Sequence, residues 1–349
     1  MKVAVVTPDV AGERMAGPGI RATYLARELG KHFDTTLVAR GDSRDVLREA
    51  DVLIGQPHRG FFKRRPGQKI VYDLFDPLVL ELRELYGNTP SLRQRIHLAA
   101  EWGRLTFALR HGDLLMCASK QQRKFYAQLQ SRDVPWIEVP FGVDLEETKS
   151  CPKPQDDIVV WGGGVWEWLD PATAVEAILQ LNREGVRCRL LFLGRARPNP
   201  HAVDRRRESR FDRLLARGGE AVSANAEWVP YRERLSWLRA GKIAIMLHRP
   251  TPEAEVSIRT RLFDAIAAGV PVVATERGFA AELVAEEGLG IVVPPEDAGA
   301  VAAAVRKLLR DDAFHTRCVQ NLERIRPRFA WERVTGPLVD AVEQWQKRI

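Results

Sequence analysis

Short apolar runs alternate with longer amphipathic stretches along the whole chain, and that alternation limits the fold more than any other feature. Val3–Val6, Thr36–Ala39, Val52–Ile54, Ile70–Tyr72, Leu114–Cys117 and Ile137–Val139 read as strands. Helices are expected between them, most clearly at Gly19–Leu29, Pro90–Arg110 and Lys120–Leu129. A polar stretch with two prolines, Lys149–Asp157, reads as a linker. The pattern then restarts with strands expected at Ile158–Trp161, Arg189–Leu193, Glu227–Val229, Ile243–Leu247, Pro271–Ala274 and Gly290–Val293. Strands alternating with helices give a parallel sheet covered on both faces. The 349 residues suit two such domains. The expected class is α/β, two doubly wound domains with a cleft between them. Ligands in such sheets sit beyond the carboxyl ends of the strands.

Fifty-three Lys and Arg exceed 46 Asp and Glu, for a net charge of +7. That excess suits anionic ligands or an anionic membrane surface without specifying nucleic acid. Neither an RNA-recognition arrangement of aromatics nor a zinc finger is present. Cys117, Cys151, Cys188 and Cys318 are scattered, which argues against a metal site or a disulfide framework and for a reducing, cytoplasmic compartment. The first residues read as a strand rather than a signal peptide. No apolar run is long enough to span a membrane.

The segment from Ser257 to Thr275 poses a physical problem. Ser257 is expected to cap a helix, Leu262, Phe263 and Ile266 form its apolar stripe, and Gly269 and Pro271 end it. Arg259 and Arg261 fall at the start of that helix, where the macrodipole is already positive and backbone N–H groups lack partners. Cations there are expected either to grip an anion or to pair with Glu253, Glu255 or Asp264.

Several segments, in order along the chain, resemble the GT-B glycosyltransferases, specifically family 4, the retaining nucleotide-sugar enzymes. Gly17-Pro18-Gly19-Ile20-Arg21 is similar to that family's first glycine loop. Cys117-Ala118-Ser119 and Val139-Pro140-Phe141-Gly142-Val143-Asp144 resemble the segments before its interdomain linker. Phe192-Leu193-Gly194 resembles a strand end of its second domain, and Asp264–Val273 its hallmark segment. Phe329-Ala330-Trp331 resembles the opening of its last helix. The resemblance implies an acceptor-side domain over residues 1–150, a nucleotide-sugar domain over 151–328, and a helix at 329–349 crossing back to the first domain.

The resemblance also implies roles. Aligning the second of the family's paired glutamates with Asp264 puts the first on Val256, beside Glu255, and gives Asp264 the donor ribose. The family's diphosphate-gripping Arg and Lys fall on Gly163 and Leu169, so both cations are missing here. Arg259 and Arg261 are expected to replace them, one on phosphate and the other in an ion pair or at the acceptor. They would act with the backbone of Ser257, Ile258 and Thr260 at the helix start. Gly17, Gly19, Gly163 and Gly164 are expected to let backbone approach the donor. Trp166, with Trp168 nearby, could stack on a base or sugar or simply pack.

Asp73 lies nearest the place where the family often has a sugar-contacting histidine, and is grouped with Arg259 and Arg261 as catalytic. Asp76 or Asp73 could instead cap the next helix, with Pro77 at its first position. His248 could approach diphosphate or sugar. Arg195 and Arg197 line the nucleotide pocket or a solvated loop. The basic run Arg59–Lys69 could meet anionic lipid or an anionic acceptor, and otherwise is a solvated loop.

The implied activity is transfer of a hexose from a nucleotide diphosphate donor, a UDP-sugar being favoured, to a hydroxyl of a glycan, lipid-linked sugar or small metabolite. No cofactor, metal or nucleic acid is expected. The location is expected to be cytoplasmic, with peripheral contact at the inner face of the membrane as an option. The alternative is an inactive nucleotide-binding or scaffold protein of the same fold. A dehydrogenase is disfavoured, because no GxGxxG with a downstream acid follows an early strand.

Overall fold

The computed structural model describes residues 1–9, 11–12, 15–57, 64–145, 157–194 and 205–347. The chain divides into two compact units. The first comprises Met1–Gly142, Glu255–Ile258 and Arg328–Ile349, and the second Val143–Ala254 and Arg259–Pro327. The first stretch of that unit runs to Gly142, and the expected boundary at 150 lies outside the described residues. Most of the expected linker, 149–156, lies outside the described residues.

In the first unit the order is β1 (Lys2–Val6), α1 (Gly17–Leu29), β2 (Asp34–Val38), α2 (Val46–Glu49), β3 (Val52–Gly55), β4 (Lys69–Asp73), α3 (Leu78–Tyr86), α4 (Leu92–His111), β5 (Leu114–Cys117), α5 (Lys120–Ala127) and β6 (Trp136–Glu138). All pairs are parallel, in the order β2-β1-β3-β4-β5-β6. Every residue of β3 and β5 is buried, which is why these strands read as unbroken apolar runs rather than alternating ones. Strand order reverses direction between β1 and β3, so this unit's ligand crevice is expected beyond their carboxyl ends.

In the second unit the order is β7 (Ile158–Trp161), α6 (Pro171–Arg183), β8 (Arg189–Phe192), α7 (Arg205–Gly218), β9 (Val222–Ala224), α8 (Arg234–Arg239), β10 (Ile243–Met246), α9 (Pro252–Val256, whose end belongs to the first unit), α10 (Thr260–Ala268), β11 (Val272–Thr275), α11 (Gly278–Glu287), β12 (Gly290–Val293), α12 (Ala298–Arg310) and α13 (Asp312–Ile325). The parallel order β12-β11-β10-β7-β8-β9 reverses between β7 and β10. Asp170 caps α6 by accepting from the Thr173 N–H at 3.1 Å, with Pro171 in the first turn.

The last helix, α14 (Trp331–Gln346), belongs to the first unit. Trp331 is buried, stacks on Tyr24 of α1 at 5.0 Å and meets Phe141 edge-on at 5.0 Å. Gly142 is required beside it, because any side chain there would strike the indole.

Three local expectations are corrected. No strand forms at 227–229; the edge strand is Val222–Ala224, where Val222 is buried against Leu190 of β8. Trp228 instead lies in the following loop against two glycines. Ser257 does not cap α10: the N-cap is Arg259, and no side chain caps that end. Asp76 and Asp73 do not cap α3 either, whose N-cap is Pro77.

Candidate functional site

The reversal point of the second unit gathers loops from four elements. After β7, Gly163 adopts φ 73°, a left-handed conformation that glycine reaches without steric cost. The Gly164 carbonyl accepts from the Trp161 indole N–H at 3.3 Å and from the Arg261 guanidinium. Arg261 also lies over the Trp161 ring, 5.2 Å from its centre. A Cβ at Gly163 would sit 3.5 Å from Arg261 Nε, so the guanidinium fills the space beside that glycine. Trp228 covers the other side, 3.1 Å from where Cβ atoms of Gly164 and Gly194 would stand. Trp166 and Trp168 stack on each other at 5.6 Å.

Helix α10 points its N-terminus into this region without an acidic residue in its first turn. Its two ends differ sharply. At the carbonyl end, Gly269 sits at φ 71°, Arg239 donates to Ala268 and Ala267, and Arg326 donates to Ile266. At the amino end stand Arg259 and Arg261, which the macrodipole opposes.

The two arginines have different partners. Arg259 forms a bidentate pair with Glu253, both bonds 2.8 Å, and Glu253 is fully buried. Arg261 has no carboxylate partner among the described residues, and its bonded acceptor is a carbonyl. Burial, and secondarily the charge of Arg259, pull its pKa down to about 9. Two buried guanidinium nitrogens, Arg259 Nε and Arg261 Nη1, donate to nothing among the described residues. Buried donors of this kind are rare because each forfeits its hydration.

His248 follows β10, is buried, and donates its backbone N–H to Thr275 Oγ1 at 3.1 Å. Burial first, then Arg259 and Arg277, pull its pKa down to about 4, so the ring is neutral at pH 7. Asp264 accepts from Arg234 Nε at 2.9 Å, and Arg234 in turn stacks on Tyr231. Asp264 thus already has a cationic partner, which no sequence pattern announced. Arg277 was likewise missed. It is the N-cap of α11 at φ 85°, where a non-glycine residue costs about 1–3 kcal/mol.

The remaining expected residues fall elsewhere. Ser257 and Ile258 group with the first unit, whereas Gly163, Gly164, Trp166, His248, Arg259, Thr260, Arg261 and Asp264 all belong to the second. Arg195 and Arg197 lie outside the described residues. Of the basic run 59–69, residues 59–63 are also outside. Arg64 and Lys69 pair with Asp113 at 2.7 and 3.5 Å, and Arg65 pairs with Asp51 at 3.0 Å.

In the first unit, Gly17 and Gly19 form the first turn of α1, and the Gly19 N–H bonds Asp9. Asp73 is locked to Arg21 by bonds of 2.7 and 3.2 Å, and Arg21 also reaches the Pro140 carbonyl at 3.1 Å. A cavity of about 10 Å³, roughly one water, lies there against Thr7, Gln56 and Arg21. Asp76 accepts from Gln56 at 3.0 Å, and burial raises its pKa to about 7.

Comparison with known proteins gives this arrangement its class. Over its full length the chain superposes on sucrose-phosphate synthase of Thermosynechococcus elongatus, with a TM-score of 0.77 at 16% identity and full coverage of both chains. Anabaena HepE, solved with UDP and glucose, gives 0.72 at 14% identity over 99% of this chain and 100% of its own. WaaG, a glycosyltransferase of lipopolysaccharide biosynthesis, gives 0.71 at 16% identity over 97% and 99%. The chain therefore has the GT-B fold of glycosyltransferases. Residues 156–311, in the second unit, match the family model "Glycosyl transferases group 1". A D-inositol 3-phosphate glycosyltransferase of Xylanimonas cellulosilytica is 27% identical over 255 residues, which are 68% of this chain. The match spans 58% of that relative's length.

Proposed function

We propose that this chain is a retaining glycosyltransferase that binds a nucleotide diphosphate sugar in its second unit and passes a hexose to a hydroxyl group. The observation that carries the reading is the pair of buried guanidinium nitrogens at the start of α10 without partners among the described residues. An anion at this helix start would satisfy those donors and reverse the sign of the interaction with the macrodipole. Arg261 stands beside Gly163, where relatives in the resemblance carry a cation, so it would supply from α10 the charge missing after β7.

The chemistry follows from that placement. The anomeric carbon–oxygen bond to phosphate breaks, the acceptor oxygen bonds the same face of that carbon, and the acceptor proton passes to the leaving diphosphate. Arginine and the α10 amides would stabilise the charge that grows on the diphosphate. His248, neutral at pH 7, can donate or accept a hydrogen bond there without adding charge. Asp264 would hold the ribose with the carboxylate oxygen that Arg234 leaves. No metal is assigned a step.

Uridine is the favoured base, supported by the UDP and UDP-glucose bound to Anabaena HepE. The acceptor class stays a glycan, a lipid-linked sugar or a small metabolite, and the relative named for inositol 3-phosphate supports the last. Buried, unpaired Cys117, Cys188 and Cys318 support a reducing, cytoplasmic setting. Among the described residues, no helix is long and apolar enough to cross a membrane.

Thermal melting with UDP, GDP, ADP and dTDP tests the reading. One of them at a hundredfold excess over its Kd should stabilise by about 2.7 kcal/mol. No shift with any of them contradicts it. A shift without release of nucleoside diphosphate from the matching sugar donor, across an acceptor panel, would favour the inactive binding protein.

A further inference from the structure

Arg277 has no part in the reading above, which takes its cations from α10 alone. It occupies φ 85°, ψ 146°, and is followed by Gly278 at φ 74°. A glycine would make this turn without steric cost, so the arginine side chain is retained against the backbone preference. Its position explains what such a side chain can reach. Two residues earlier, Thr275 accepts the backbone N–H of His248 at 3.1 Å. The charges of Arg259 and Arg277 both act on the His248 ring. Arg277 therefore belongs to the same ring of loops, beyond β10 and β11, as the arginines of α10. It also opens α11, a 10-residue helix whose first turn carries no acid. An independent sign of a ligand stands in the same ring: Arg259 is only 9% exposed, yet its Nε has no partner among the described residues.

We infer that Arg277 is a donor-binding residue that holds the diphosphate from the α11 side while Arg261 holds it from the α10 side. This rests on the donor reading under Proposed function. A diphosphate presents two charged groups a few ångströms apart, and two planar guanidinium forks reaching it from different elements fix its orientation as well as its charge. Arg259, whose two terminal nitrogens Glu253 already holds, then offers the ligand only its Nε.

The test compares wild-type chain with Arg277→Gly and Arg277→Lys by calorimetric titration and thermal melting. The probes are UDP, GDP, ADP and dTDP with their nucleosides. Arg277→Gly should melt at the wild-type temperature or above it, because strain is released. It should bind the preferred nucleoside diphosphate about tenfold more weakly and the nucleoside within about twofold of wild type. Arg277→Lys should recover part of the loss, since charge returns without the fork. If wild type binds one of the four and Arg277→Gly binds it equally well, the inference fails and the donor reading stands. Equal losses for nucleoside and diphosphate, with a lower melting temperature, make Arg277 structural and also overturn it. If wild type binds none of the four, both fall.

Discussion

The two units carry a similar device at their reversal points and differ in one added charge. Each has a buried bidentate arginine–carboxylate pair, Arg21–Asp73 in the first and Arg259–Glu253 in the second. Beside the first pair stands Asp76, a carboxyl that burial holds protonated up to about pH 7. Beside the second stands Arg261, a cation with a carbonyl and a ring for company. A buried acid can shed its charge by keeping a proton, whereas a guanidinium at pKa about 9 stays charged at pH 7. The first reversal point is thus electrically settled by the protein itself, and the second calls for an anion.

Breaking either buried pair gives the largest expected effect. Asp73→Ala and Glu253→Ala each strand a buried guanidinium, and each should lower stability by about 3–5 kcal/mol in urea titrations. A loss below about 1 kcal/mol in either would mean that water reaches the remaining charge and that the two pairs are not alike. Arg261→Ala should behave otherwise, leaving the ligand-free protein within about 1 kcal/mol of wild type, since one neutral-acceptor bond is lost and a repulsion relieved.

Gly163→Ala comes next. It forces a Cβ into a left-handed position beside Arg261 and should cost about 1–2 kcal/mol. Nucleoside diphosphate binding should weaken with it; unchanged binding would separate the glycine loop from the site. Asp264→Asn should lower stability by about 1 kcal/mol through its partly buried bond with Arg234. It should also remove any preference for a ribose over a 2′,3′-dideoxyribose nucleotide. A preference that survives in the variant would assign the ribose elsewhere.

The last contrast is in pH dependence, where the two units should differ in sign. Asp76 has a folded pKa raised to about 7, so the folded state binds the extra proton and stability falls as pH rises from about 4 to 7. His248 has a folded pKa lowered to about 4, so stability is lost as pH falls from about 6.5 to 4. Asp76→Asn should flatten the first slope and His248→Gln the second. Melting curves across pH 4–8 check both, and slopes that persist in the variants would assign them to other groups.

Among the described residues eleven of the twelve strands were legible, chiefly because buried parallel strands leave unbroken apolar runs. The missed one, Val222–Ala224, is a short edge strand whose Ser223 is exposed, while Trp228 made the next segment look more strand-like than it is. The arginines at the start of α10 were legible from the macrodipole alone. An ion pair for one of them was expected, but which one was not legible, because it depends on how Glu253 sits across a turn that the pattern does not specify. Arg234 and Arg277 left no trace in the sequence: one meets Asp264 from 30 residues away, and the other announces itself only through its backbone angle.

The central claim is that the guanidinium of Arg261, whose Nη1 has no partner among the described residues, binds the donor diphosphate. Calorimetric titration of Arg261→Ala with the preferred nucleoside diphosphate and with its nucleoside tests it most directly. One charge-assisted contact of about 1.5–3 kcal/mol predicts a loss of about one to two powers of ten for the diphosphate and little change for the nucleoside. Equal losses for the two ligands, or no loss for either, would contradict it.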